Sequence, residues 1–181
     1  MHVVLLSPTR GAMGGADRDW VNLANALDAG QIRITWVGIQ GTAVLRPYLK
    51  AEAVPRLLDI GFPHFGYLIQ DNALIPRSGW LWAKILADQI LRSLRPLWVL
   101  WKLAAHDPVD VVVSNTSAVL IGWPLARLCR ARHIWSVKEC LDPAIRACRS
   151  FAAAISSCSD VVTVPSRACG SIFRGSARVF N

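Results

Sequence analysis

Ser7-Pro8-Thr9-Arg10-Gly11-Ala12-Met13-Gly14-Gly15-Ala16-Asp17 separates two stretches of different periodicity. Before it, Val3-Val4-Leu5-Leu6 is a short unbroken apolar run that reads as a buried strand. After it, Trp20, Val21, Leu23, Ala24 and Leu27 recur every three or four residues, the spacing of one helix face. The N-terminus is therefore strand, glycine loop, helix. Glycines at such a joint let a ligand approach the backbone, and a helix start offers unpaired N–H groups and positive dipole to an anion. Gly11, Gly14 and Gly15 do not make G-x-G-x-x-G, and no Gly-Lys-Ser/Thr follows as a P-loop needs. On spacing alone, an anion cradle and a mere tight turn are equally good readings.

The rest of the chain repeats the alternation. Ile32 to Ile39 is β-branched and ends at Gln40-Gly41, a second strand. Residues 43–53 read as a short helix weakened by Pro47, and 54–60 as a short strand with Pro55 near its start. Residues 61–79, with three glycines and two prolines, read as a long irregular loop, where His64 is a candidate binding or catalytic group. Trp80 to Ala105 reads as a helix with Lys84, Asp88, Arg92 and Arg95 on one narrow polar stripe and apolar residues around it, and Pro96 is expected to break or kink it. Such a helix is either buried against a sheet or laid in a bilayer interface.

Asp110-Val-Val-Val-Ser-Asn-Thr-Ser117 is a strand running into a polar loop, and 118–130 is helical, with Leu120, Ile121, Leu125 and Leu128 on the apolar side. His133 to Val137 is a strand ending in Lys138-Glu139, residues 144–157 a helix, and Asp160 to Val164 a strand followed by Pro165-Ser166 and a helix to about Phe173. Another strand starts in 177–181. Strands alternating with helices imply right-handed βαβ units and a parallel α/β sheet with helices on both faces. Ligands bind beyond the carboxyl ends of such strands. Arg10 to Gly15, Ser114 to Ser117, Lys138-Glu139 and Pro165-Ser166 all fall there, on one rim.

The chain has 181 residues, 53% of them hydrophobic and 18% charged, which suits one domain with near-continuous apolar strands and excludes a disordered chain. No signal peptide and no apolar run long enough to span a membrane is present in the sequence, so a cytoplasmic location is expected. The five cysteines show no metal-knuckle or dithiol spacing and are expected to be reduced, mostly buried thiols. The net charge of +8 is concentrated in 109–181, with nine basic and four acidic residues. Its arginines lack interleaved stacking aromatics, so nucleic acid is not the expected partner.

With these positions placed, the chain resembles the N-terminal domain of GT-B retaining glycosyltransferases of the large family four, enzymes of two Rossmann-like domains facing a cleft. The resemblance rests on Gly14-Gly15-Ala16-Asp17-Arg18 with Asn22-Leu23-Ala24-Asn25-Ala26-Leu27, on Asp110-Val-Val-Val-Ser-Asn115, on Ser159-Asp160-Val-Val-Thr-Val-Pro-Ser166 and on Arg178-Val-Phe-Asn181. It implies that 1–181 is one acceptor-side domain, with the donor-binding C-terminal domain lying outside it and the chain alone inactive. It implies that Gly14, Gly15 and Ala16 approach the donor diphosphate. Lys138-Glu139 takes the place of the family's His-Glu or His-Asp pair, as catalytic candidates, and Arg10, Asn115, Thr116 and Ser166 are candidates for substrate contact. No tightly bound cofactor and no metal is implied: a nucleotide-diphospho-sugar is the co-substrate.

Two classes of function follow as expectations. One is the acceptor half of a glycosyltransferase of lipid-linked or surface polysaccharide, with peripheral contact at the inner face of a membrane, where the tryptophans and basic residues would dock. The other is a non-catalytic subunit or binding module whose partner supplies the donor site. A sugar-nucleotide epimerase on the same two-domain architecture is an alternative of the first class, since fold does not fix reaction.

Overall fold

The computed structural model describes residues 1–27, 30–50, 56–64, 79–173 and 178–180. In chain order its elements are β1 (His2–Leu6), α1 (Gly15–Ala26), β2 (Arg33–Gly38), a 3-10 helix (Thr42–Tyr48), β3 (Arg56–Asp59), α2 (Gly79–His106), β4 (Val111–Asn115), α3 (Gly122–Cys129), β5 (Arg132–Ser136), α4 (Arg146–Ser157), β6 (Val161–Thr163), α5 (Arg167–Gly170) and β7 (Arg178–Phe180). All seven strands pair in parallel, in the order β3-β2-β1-β4-β5-β6-β7. The order reverses between β1 and β4, which makes that pair the topological switch point.

The apolar run of β1 is explained by burial on both faces. Val4 and Leu6 pack with Val37, Leu100, Val112, Ile121 and Leu125 on the side of α2 and α3. Val3 and Leu5 pack with Val21, Ala24, Trp36 and Leu45 on the side of α1 and the 3-10 helix. A third cluster, with Trp135, Ala152, Ile155 and Val162, joins β5 and β6 to α4. Each such side chain contributes about 2 kcal/mol by leaving water, so sheet and helices are held from both faces.

Several sequence expectations are corrected. Helix α2 runs through Pro96 without the expected break. The ring removes one backbone hydrogen bond, but Leu97, Leu100 and Ala104 around it pack on the core and hold the next turn in place. Residues 118–121 precede α3 rather than beginning it, and Leu128 is half exposed. Where a short helix is expected over 43–53, a 3-10 helix runs over Thr42–Tyr48; residues 51–55, the loop beyond 64 and the start of the last strand at Ala177 lie outside the described residues.

Cys140 and Cys169, expected as separate thiols, are joined in a disulfide with Cα atoms 4.9 Å apart. Pairing of β5 with β6 brings the loop after one beside the helix after the other, across 29 residues of sequence. Cys129, Cys148 and Cys158 are free, and burial raises the pKa of each thiol.

Inside the sheet, Ser114 donates to His133 Nε2 at 3.0 Å, and His133 Nδ1 donates to the Cys158 carbonyl at 2.8 Å. A side chain at Gly122 would meet Ser114 Oγ at 2.0 Å, so α3 starts directly over this pair. The pair is a buried clamp with no opening for a substrate. Burial lowers the His133 pKa, against the opposing pull of the Cys158 carbonyl and Asp160. The unfolded chain therefore takes up a proton first as pH falls, and the stability that neutral His133 contributes is full above about pH 6.5 and is lost below it. Unfolding free energy measured by urea titration should decrease from neutral pH toward pH about 5, with a shallower slope in His133→Gln. A second expectation concerns Gly41, at φ +68° with Gly11 Cα only 2.8 Å from where a Cβ would stand. Gly41→Ala should lower stability by about 1–2 kcal/mol from the left-handed backbone alone.

Candidate functional site

The carboxyl ends of β1 and β4 flank the switch point, and the two loops that leave them are tied together. Asn115, fully buried, donates from Nδ2 to Ser7 Oγ at 2.8 Å. Ser7 in turn donates to Asp17 Oδ1 at 2.5 Å, and Thr9 Oγ1 donates to the same oxygen at 2.9 Å. Gly14 N–H donates to Asp17 Oδ2 at 3.0 Å. Asp17 sits in the first turn of α1, 3% exposed, so one buried carboxylate folds the whole loop back over the helix start. The loop also leans on its neighbour: Ile39 and Gln40 N–H both donate to the Thr9 carbonyl at 3.1 Å, and Gly11 N–H to the Gln40 carbonyl at 2.9 Å.

What this leaves open is the helix start itself. Gly14 and Gly15 are exposed, and a Cβ at Gly15 would meet nothing within 4 Å. The N–H groups of Gly15 and Ala16 have no partner among the described residues. Two free donors, the positive end of a 12-residue helix and no side chain in the way are the features that an anion site at a helix start requires.

Other candidates of the rim are placed as follows. Thr116 adopts φ +79°, a backbone that a β-branched residue rarely takes, and its carbonyl accepts from Trp135 Nε1 at 2.9 Å. Glu139 Oε2 accepts from Ser117 N–H at 3.0 Å, Ser117 Oγ at 2.7 Å and Lys138 N–H at 3.2 Å. Its Oε1 carries no bond among the described residues. Lys138 Nζ reaches across to Asp19 Oδ2 on α1 at 2.8 Å, closing the rim between the β5 and β1 loops. Arg10 lies 3.0 Å from His64 Nδ1, and burial together with the Arg10 charge lowers the His64 pKa. Ser166 caps α5, accepting from Cys169 N–H at 3.3 Å, and so stands in the wall rather than free.

The structure thus brings Arg10, Gly14, Gly15, Ala16, Asn115, Thr116, Lys138 and Glu139 to the same edge. Asn115 Nδ2 is taken by Ser7, while its buried Oδ1 has no partner among the described residues, and Lys138 and Glu139 both have protein partners. Ser7, Thr9 and Ser117 lie in loops that the sequence placed at strand ends, but their roles as partners of Asp17 and Glu139 escaped sequence reasoning. The N-cap glycine three residues before an acidic residue was a signal for half of this lock. The partners of Asp17 that lie before the glycines had none. Among the described residues no cluster of His, Cys, Asp or Glu could hold a metal ion. A small cavity between α2 and the sheet, lined by His2, Thr35, Leu100 and Asp107, lies at the amino ends of the strands, opposite this rim.

No protein-family model matches the sequence, and a comparison with curated proteins finds no match. Solved structures do match. HepE of Anabaena, in complex with UDP and glucose, aligns with a TM-score of 0.62 at 15% identity, over 99% of this chain and 43% of HepE. MnaA of S. aureus, solved with UDP, gives 0.53 at 13% identity over 95% of this chain and 40% of its own. A UDP-N-acetylglucosamine 2-epimerase gives 0.53 at 14%, over 96% and 44%. The likeness is one of fold. The chain has the Rossmann-like, GT-B-type architecture expected from its sequence, and nothing singles out family four. It spans less than half the length of these proteins.

If Asp17 is the lock of the loop, Asp17→Ala leaves the Ser7 and Thr9 hydroxyls and the Gly14 N–H without an acceptor. Stability measured by urea unfolding should fall by about 2–3 kcal/mol, and amide exchange in 9–15 should speed up more than in β4.

Proposed function

We propose that this chain is the acceptor-side half of a sugar-nucleotide-dependent glycosyltransferase, of the retaining, hexosyl-transferring kind, acting on a glycolipid or cell-surface polysaccharide at the cytoplasmic face of a membrane. The observation that carries the reading is the open, side-chain-free start of α1 beside the switch point of a sheet whose structural relatives were solved with UDP or UDP-glucose. Residues 1–181 form one domain in this reading, and the donor nucleotide is held mainly by a second domain or a partner subunit.

In that arrangement the Gly15 and Ala16 N–H groups and the α1 dipole stabilise charge developing on the leaving diphosphate as the sugar–phosphate bond breaks. Asp17 keeps them aimed, because its oxygens are turned to Ser7, Thr9 and Gly14 rather than to the Gly15 and Ala16 N–H groups. Glu139 is held by three donors on one oxygen, and the other is free to orient an acceptor hydroxyl. Lys138, paired with Asp19, braces that loop against α1. Arg10 and His64 form the opposite lip and suit the acceptor. No metal is needed where backbone donors meet the diphosphate.

A second reading, a sugar-nucleotide epimerase, is favoured by the likeness to the 2-epimerase. It shares the diphosphate cradle and differs in product, so incubation with UDP-sugars and chromatography for a new epimer or a new glycoside separates the two. Titration calorimetry should find weak or no saturable binding of UDP by residues 1–181 and clear binding once a donor domain is joined to them. Tight binding by residues 1–181 alone would place the whole nucleotide site here and overturn the division of labour. In the two-domain protein, Gly15→Trp should abolish transfer with the circular dichroism spectrum unchanged.

A further inference from the structure

Helix α2 has a face that the fold does not use. At 28 residues it is about 42 Å long. Its inner side buries Gln89, Pro96 and Leu100. On the outer side Trp80, Leu91, Leu94, Trp98 and Trp101 are exposed, Leu91 by 68% and Trp98 by 53%. At helical spacing 80, 91 and 98 point in nearly one direction, with 94 and 101 just to one side. Lys84, Arg95 and Lys102, also exposed, fall just to the other side. The outer surface is therefore an apolar row bordered by a basic row, and Lys102 Nζ stands 4.0 Å over the Trp98 ring, where the two rows meet.

We propose that this face of α2 lies flat in the headgroup layer of an anionic bilayer. Trp80, Leu91, Leu94, Trp98 and Trp101 reach the acyl boundary, and Lys84, Arg95 and Lys102 meet lipid phosphates. Charge decides the occupant. The helix carries four basic residues and one acidic one, Asp88, which is already paired with Arg92 at 2.9 Å. A second copy of this face would set cations against cations, whereas anionic lipid supplies both the negative charge and the apolar layer in the same geometry. Tryptophan and lysine side by side suit the boundary, since each has an apolar body and a polar end. Contact is peripheral, as no described helix is long and apolar enough to cross a membrane. The surface is separate from the rim and the proposal stands whichever reaction the rim performs.

The test is flotation of the 181-residue chain with vesicles of phosphatidylcholine alone or with about one-third phosphatidylglycerol, a composition chosen for its surface charge. Binding to the anionic vesicles only, weakened by high salt and accompanied by a blue shift of tryptophan emission, is expected. The double variants Trp98→Ser/Trp101→Ser and Arg95→Glu/Lys102→Glu should each lower partitioning about tenfold or more. All four residues are exposed, so both variants should keep the parent circular dichroism spectrum and urea-unfolding midpoint. Equal binding to both vesicle types, no binding to either, or variants that bind as the parent does would overturn the proposal. So would a dimer in sedimentation velocity that the tryptophan variants dissolve, since the face would then be covered by a second copy.

Discussion

A single carboxylate buried at the start of α1 sets the geometry of the rim. Asp17 takes hydrogen bonds from two hydroxyls and one backbone N–H of the loop that precedes it, so the loop has one conformation rather than many. Burial is what makes this effective. A buried carboxylate without donors costs several kcal/mol, so every departure of the loop from this shape is opposed by that cost. The same bonds take up the acid's oxygens, so that the donors of Gly15 and Ala16 are left without a hydrogen-bond partner among the described residues.

The rest of the rim follows from this anchor. Ser7, fixed by Asp17, is the partner for Asn115, so the strands on either side of the switch point end at matched heights. Thr116 then has to turn sharply, and its left-handed backbone is held by its carbonyl on Trp135 and its N–H on Ser136. Strain of about 1–3 kcal/mol persists only where the surroundings leave no alternative. Glu139, on the next strand's loop, is pinned to Ser117 directly after that turn. Loops from three adjacent strands are therefore stitched in series, and Lys138 closes the series back on α1 through Asp19.

Much of the fold was legible because its signals are local. The runs Val3 to Leu6 and Val111 to Val113 are apolar without alternation because both sheet faces are covered, and the period of α1 is the period of its buried side. The rim could be located from strand ends alone. What escaped were pairings between polar groups far apart in sequence, such as Asp17 with Ser7 and Lys138 with Asp19, or Cys140 with Cys169, because no spacing rule records them. Pro96 misled for the opposite reason. Its local rule is sound, but packing of the turns on either side outweighed one missing bond. The polar stripe read on α2 was real, and the structure adds that the apolar residues beside it face outward.

The order of strands in the sheet has a consequence for how the chain is made. The central strand β1 is made before every other strand of this sheet, yet its second neighbour, β4, follows only after α1, β2, β3 and α2. The Asn115–Ser7 bond joins residues 108 apart. At ordinary rates of synthesis that interval is on the order of ten seconds, during which one edge of β1 stands unpaired. The rim is thus assembled late, by the arrival of distant strands, and a chain halted before Asn115 exposes an apolar sheet edge of the kind that molecular chaperones bind.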